Sequence, residues 1–113
     1  MGKVVVSGTL SQSPERRVLK NGALCTVAVV KSTCAQDGNR TRFWQIAAFN
    51  ATVQFALMRL SRGDPIIVQG TFNAEMQEQN GEIALSFGVV AESILDVPPH
   101  FADRIAAALT DSC

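Results

Sequence analysis

The sequence contains no tyrosine, one tryptophan and a single histidine, His100. Its three cysteines, Cys25, Cys34 and Cys113, are odd in number and show no CxxC spacing. These residues cannot complete a zinc site at any familiar spacing, and no titratable pair suggests catalysis. We therefore predict no metal, no cofactor and no enzymatic activity. Free thiols, with Cys25 buried in a strand, indicate a reducing compartment such as the cytoplasm.

Long hydrophobic runs are also missing. No apolar stretch approaches the length of a membrane span, and the N-terminus lacks the apolar segment and cleavage site of a secretory signal. The phosphate-binding motif GxxxxGK[ST] is absent as well. The 113 residues, 47% of them hydrophobic, are enough for one folded domain without disulfide bonds. We expect a single cytoplasmic domain.

Charge is divided unevenly along the chain. Residues 1–62 carry nine basic and two acidic side chains, a net charge of +7, whereas residues 63–113 carry one basic and eight acidic ones, a net charge of −7. Such asymmetry indicates nucleic-acid contact, because the basic half can bind phosphates. Folding can equally mix the two halves on one surface, so charge alone leaves both interpretations open.

Alternating hydrophobicity and turn signals predict five strands and one helix. The helix, at 51–60, begins after Asn50, an expected N-cap, and stops before Gly63. Its position between the third and fourth strands is the element order of the OB-fold, an all-β, five-stranded barrel. The strands are predicted at residues 3–10, 24–31, 41–49, 65–72 and 83–97.

Turn signals add detail to this barrel. Gly8, inside the first strand, indicates a bulge or bend that lets one strand serve two sheets. Asn-Gly pairs at 21–22 and 80–81 predict tight hairpins. Pro98 and Pro99 end the last strand, so we expect residues 1–97 to form the domain. Residues 98–113 are then a tail with a short amphipathic helical stripe.

The third predicted strand carries the aromatic residues of most interest. Side chains alternate between two faces, so Phe43 and Phe49 share one face and Trp44 lies on the other. Aromatic residues on an amphipathic strand are usually core, so packing and ligand stacking both remain open for Phe43 and Phe49. The other phenylalanines of the barrel are assigned to the core: Phe55, Phe72 and Phe87.

Four stretches match a known family in order and spacing. They are KVVVSGTL with SPE at 3–15, NG with AV at 21–29, FWQI with Phe49 at 43–49, and LSRGD with VQG at 60–70. Over about its first 97 residues the chain therefore resembles the bacterial single-stranded DNA-binding proteins.

The resemblance implies a homodimer or homotetramer that coats single-stranded DNA in replication, recombination or repair, stacking bases on aromatic rings along a basic groove. It implies stacking on Phe43 and Phe49. A subunit interface is expected at Val5 and Trp44, taken as outward apolar positions that need cover. The implied phosphate contacts are Arg16, Arg17, Arg59, Arg62, Lys3 and Lys31.

The chain also departs from the family pattern. Residues 33–39 contain no aromatic residue, and the predicted hairpin at 73–78 contains Glu75 and Glu78 where the family has basic residues. Gln45 stands where arginine is common, and an acidic C-terminal tip is absent. These departures favour an alternative, a replication-restart or mobile-element accessory protein that acts mainly through protein partners.

Overall fold

The computed structural model describes residues 2–34 and 40–95, which form six strands and one helix. The helix, α1 (Ala51–Met58), lies between the fourth and fifth strands. The strands are β1 (Lys3–Leu10), β2 (Glu15–Val18), β3 (Leu24–Cys34), β4 (Arg40–Ala48), β5 (Pro65–Gln79) and β6 (Glu82–Leu95). None of the helical structure in these ranges is long and apolar enough to cross a membrane.

Five of the strands close into a ring, which confirms the predicted all-β barrel with one helix. The ring order is β1-β5-β6-β4-β3, with β3 pairing back to β1 and with β4 and β6 parallel. The short β2 is an additional strand that the sequence did not predict. Its residues ERRV are all exposed and lack apolar alternation, so only the pairing with β3 reveals it.

Closure of the ring depends on β1. Residues 3–9 of this strand pair with β5, while Thr9 and Leu10 pair with Lys31 and Val30 of β3. At Gly8 the two strands approach so closely that an added Cβ would collide with the carbonyl of Lys31. The first strand therefore pairs with two strands, as predicted, but its register with β5 is continuous through Gly8, so the predicted bulge is not present there.

The inward faces of the strands and one side of α1 build the core. Val53 and Leu57 of α1 are buried, whereas Phe55 is 64% exposed. The assignment of Phe55 to the core is wrong, because it lies about 200° around the helix from each of those residues. The largest fully buried side chains are Leu10, Ile46, Leu57, Ile66, Val30, Val68 and Val89.

The helix begins as predicted and ends earlier. The side chain of Asn50 accepts hydrogen bonds from the amides of Thr52 and Val53, which confirms it as the N-cap. The helix ends at Met58, with Arg59 as C-cap, rather than at residue 60. Gly63 is not the helix stop; it has a φ of +91° in the following turn, where its amide donates to the carbonyl of Leu10.

The last two strands form a longer hairpin than predicted. Residues 73–78, expected in the connecting loop, continue β5 to Gln79 and pair with β6. Asn80 and Gly81, both with positive φ, make the predicted turn. The polar residues of this segment lack the apolar alternation that marks a strand, and cross-strand backbone pairing supplies the order instead. The predicted boundary at 97 and the tail at 98–113 lie outside the described residues.

We expect Gly8→Ala to lower the free energy of unfolding by about 2 kcal/mol, because the new methyl group overlaps the Lys31 carbonyl. Urea titration measures this change. Gly88→Ala in β6 is the control. A Cβ added at Gly88 would lie 3.4 Å from its nearest neighbour, the backbone carbonyl oxygen of Asn73, which is an ordinary contact. Equal losses in the two variants would contradict the close approach as the reason for glycine at position 8.

Candidate nucleic-acid interface

The outward face of β3 and β4 presents the aromatic residues found in the sequence. Cross-strand pairing sets Lys31 opposite Phe43, Val29 opposite Gln45, and Val27 opposite Ala47. Phe43 is 53% exposed and Phe49 is 49% exposed. Neither ring is core, so the packing interpretation left open for them is wrong; Phe43 lies on β4 and Phe49 directly follows the last residue of that strand.

The end of β4 is held by a buried glutamine. Gln54 of α1 accepts a hydrogen bond from the hydroxyl of Thr26 at 3.0 Å. Its Nε2 donates to the carbonyls of Phe49, at 3.1 Å, and Leu24, at 3.2 Å. A buried side-chain network of this kind fixes local geometry, because breaking one bond leaves another polar group unpaired. Gln54 therefore fixes the backbone that carries the Phe49 ring.

Two shallow grooves flank Gln45 and Ala47 on this outward face. The β5–β6 groove, of about 410 Å³, is lined beyond those two residues by Asn73, Glu75, Ser86, Gly88, Val89 and Val90. The β2–β3 groove, of about 340 Å³, is lined on the other side mainly by Gln12, Ser13, Glu15, Arg17, Val27 and Val29. β4 thus forms a ridge with polar depressions on both sides.

Two of the predicted basic residues lie at this surface, and the backbone of a third is held next to it. Arg17 lines the β2–β3 groove, 3.7 Å from Glu15. Lys31 is the cross-strand neighbour of Phe43. The backbone amide of Arg62 donates to the hydroxyl of Ser13, a lining residue of the same groove, at 3.2 Å. Two basic side chains, Arg17 and Lys31, therefore lie on the β2–β3 side of the ridge, where the carboxylate of Glu15 also lines the groove.

The other three basic residues are not gathered there. Arg16 alternates to the opposite side of β2, in register with Thr26. Arg59 caps α1 and lines neither groove. Lys3 forms an ion pair with Glu92 and also donates to Thr71. Hydrogen bonds from Lys3 and Thr71 lower the pKa of Glu92 below its usual value.

Trp44 does not point outward as expected. It packs against the core from the inward face, with the ring centroids of Phe72 and Phe87 5.9 Å and 5.5 Å from its own. Its Nε1 donates to the hydroxyl of Ser32 at 3.0 Å. The alternation that brings Phe43 outward forces Trp44 inward. Phe72 and Phe87, assigned to the core, are half-buried around it.

Sequence reasoning missed some residues of this region. The guanidinium of Arg42 lies 5.5 Å from the centroid of the Phe87 ring, a cation–π distance. Asn73 and Ser86 line a groove that only the β5–β6 pairing assembles. The β5–β6 hairpin carries its own group of acidic side chains, since Glu75, Glu78 and Glu82 are all exposed on it. The two charge classes noted in the sequence are therefore not fully mixed by folding.

Comparison with known proteins identifies relatives along most of the chain. Residues 1–96 match the model of the single-strand binding protein family. A curated relative, the single-stranded DNA-binding protein of Malacoplasma penetrans, is 24% identical over 110 residues; the match covers 96% of this chain and 58% of that protein. The chain thus spans less than two thirds of the length of this relative.

Solved structures share the architecture. A small single-stranded DNA-binding protein from Streptomyces coelicolor superposes with a TM-score of 0.66 at 21% identity, over 87% of this chain and 95% of that one. The Plasmodium falciparum SSB complex with ssDNA gives a TM-score of 0.65 at 12% identity, over 87% and 96% of the two chains. At these identities the structural matches establish the fold alone.

Proposed function

This chain belongs to the single-strand binding protein family, and we propose that it binds single-stranded DNA as a non-enzymatic coating protein in replication, recombination or repair. The observation that carries the proposal is the pair Phe43 and Phe49, each about half exposed, one on β4 and one directly after it, on either side of Gln45 and Ala47, which line both grooves. Exposing an aromatic ring to water is unfavourable, and stacking a base on it removes that apolar surface from water. Such stacking does not depend on the DNA sequence, because every base has a flat aromatic face.

The ridge has room for several nucleotides. Phe43 and Phe49 are six residues apart, which corresponds to about 20 Å along an extended strand. In the proposed complex a base stacks on each ring, and the bases between them lie over Gln45 and Ala47, next to the grooves. A strand of DNA therefore follows β4.

Charge gives the bound strand a preferred orientation. Arg17 and Lys31 lie on the β2–β3 side of the ridge with Glu15, and the backbone of Arg62 is held there, whereas Glu75 lies in the other groove, which no lysine or arginine lines. Phosphates should therefore run along the β2–β3 side, because two basic side chains there outnumber Glu15, whereas the other groove offers the carboxylate of Glu75 and no basic residue. We retain Arg16, Arg59 and Lys3 as more distant phosphate contacts; Lys3 would have to leave Glu92 to serve.

We also propose a homodimer or homotetramer that forms through β1. Within the described ranges, residues 3–7 of this strand pair only with β5, so their second edge is open to another chain. Val5, 49% exposed on the outward face, provides apolar surface beside that edge. Trp44 belongs to the inward aromatic cluster and is left out of this interface.

The acidic hairpin favours a second candidate function. Met76 and Ile83 are 72% and 70% exposed on it, next to three glutamates that disfavour DNA phosphates. Such a surface suits a protein partner in replication restart. Both candidate functions fit a cytoplasmic protein, a location that the buried free thiol of Cys25 supports.

We expect labelled oligo-dT to be bound more tightly than duplex DNA of equal length, with an affinity that falls as salt rises, because phosphate contacts release counterions. Fluorescence anisotropy at low and moderate salt measures both effects. Binding that is weak at low salt, or equal for duplex and single strand, would reject the proposal and direct attention to the protein-partner alternative.

Phe43→Ala should weaken oligo-dT binding by about 1–3 kcal/mol, since a stacking platform is lost. Phe55→Ala is the matched control, because Phe55, 64% exposed against 53% for Phe43, lies on α1 rather than on β4. Circular dichroism confirms that both variants fold. If both variants bind like the original chain, Phe43 is not a stacking residue.

Val5→Asp should shift the assembly toward monomer, because a carboxylate would be buried at the proposed β1 interface. Light scattering after size-exclusion chromatography measures the mass. Val18→Asp, at a valine 69% exposed on β2, is the control and should leave the mass unchanged. An unaltered mass for Val5→Asp would place the subunit interface elsewhere.

A further inference from the structure

We propose that the β5–β6 groove selects the base it contacts, preferring a base with an exocyclic amino group, such as cytosine, over thymine. Glu75 and Asn73 are the specificity-determining residues. The inference rests on the proposed function, since it concerns the bases of a single strand already bound along β4.

The groove is built from neighbouring positions on three strands. Asn73 of β5 lies opposite Gly88 of β6, and Gly88 lies opposite Gln45 of β4. Because Gly88 has no side chain, a depression opens between the side chains of Asn73 and Gln45. A Cβ at Gly88 would meet the carbonyl oxygens of Asn73 and Gln45 at 3.4 Å and 3.5 Å. Glycine at this position therefore leaves the groove without a side chain between Asn73 and Gln45, where we place the base.

Hydrogen-bond acceptors dominate the far wall of the groove. Nδ2 of Asn73 donates to Oε1 of Glu75 at 3.4 Å, which aligns the two side chains. This contact leaves Oε2 of Glu75 and Oδ1 of Asn73 as acceptors. No lysine or arginine is among the lining residues. The wall is therefore matched to groups that donate hydrogen bonds.

Cytosine and thymine differ at the atom that such a wall would test. Cytosine carries an N4 amino group, a donor, where thymine carries O4, an acceptor. A carboxylate accepts a bond from the amino group and repels the carbonyl oxygen. Adenine also offers an amino group, but cytosine and thymine are nearly equal in size, so their comparison isolates this contact from stacking.

The same carboxylate is unfavourable for DNA phosphates and favourable for base edges. Basic residues on the β2–β3 side of the ridge attract the backbone there, which turns the bases toward Glu75. An acidic residue in a groove that binds a polyanion is otherwise a cost, because it repels the phosphates. Base recognition gives Glu75 a role that offsets this cost.

The test compares oligo-dC with oligo-dT of equal length by fluorescence anisotropy in neutral buffer. The readout is the ratio of the Kd for dT to the Kd for dC, measured for the original chain, Glu75→Gln and Glu78→Gln. Intrinsic differences in stacking and backbone flexibility between the two oligonucleotides cancel when this ratio is compared between variants.

Glu78→Gln is the matched control. It removes the same charge from the same strand, but Glu78 pairs with Ile83 on the opposite face of the hairpin and does not line the groove. Both variants should bind all DNA somewhat more tightly, because both lose a negative charge. Only Glu75→Gln should change the ratio.

We expect Glu75→Gln to lower the ratio about fivefold, because glutamine offers thymine O4 an N–H donor and loses the charge that favoured cytosine. An unchanged ratio, or an equal change in Glu78→Gln, would overturn the inference while leaving single-strand binding intact. If the original chain binds neither oligonucleotide, the proposed function fails, and the inference fails with it.

Discussion

The contact between Gly8 of β1 and the carbonyl of Lys31 is the constraint on which the barrel depends. It allows one strand to leave β5 and join β3, so that the sheet closes into a ring. Once the ring is closed, every strand has one inward and one outward face, and strand alternation assigns each side chain to one of them. The exposure of Phe43 and the burial of Ile46 both follow from this closure.

Closure also separates two roles along β4. Its inward residues pack with the core, and Trp44 joins Phe72 and Phe87 there. Its outward residues form the ridge between the grooves. The strand lies between a basic side and an acidic side because β3 and β6 are its two neighbours in the ring. The basic residues Arg17 and Lys31 thus lie on one side of this surface, with Glu15, and Glu75 lies on the other.

Much of this architecture could be predicted from sequence, because hydrophobic alternation and Asn-Gly turns are local signals. Parity alone placed Phe43 and Trp44 on opposite faces of β4, but it did not show which face is inward, and Trp44 was expected outward. β2 could not be predicted, since Arg16 and Arg17 give no apolar pattern and the strand exists only through its pairing with β3. The far half of β5 was missed for the same reason. The β5–β6 groove brings Asn73 beside Gln45 through pairing across β6, which no local signal encodes.

The length of the β5–β6 hairpin has a consequence for how the molecule can change over generations. β4 pairs with β6 only at residues 87–90, so within the described ranges the outer half of the hairpin is a two-stranded ribbon. Its backbone hydrogen bonds are shielded less than those of the barrel, and it adds little to the free energy of global unfolding. Substitutions there should change the free energy of unfolding little. The ribbon can therefore vary in length and charge, and retune what the surface binds, while the barrel stays constant.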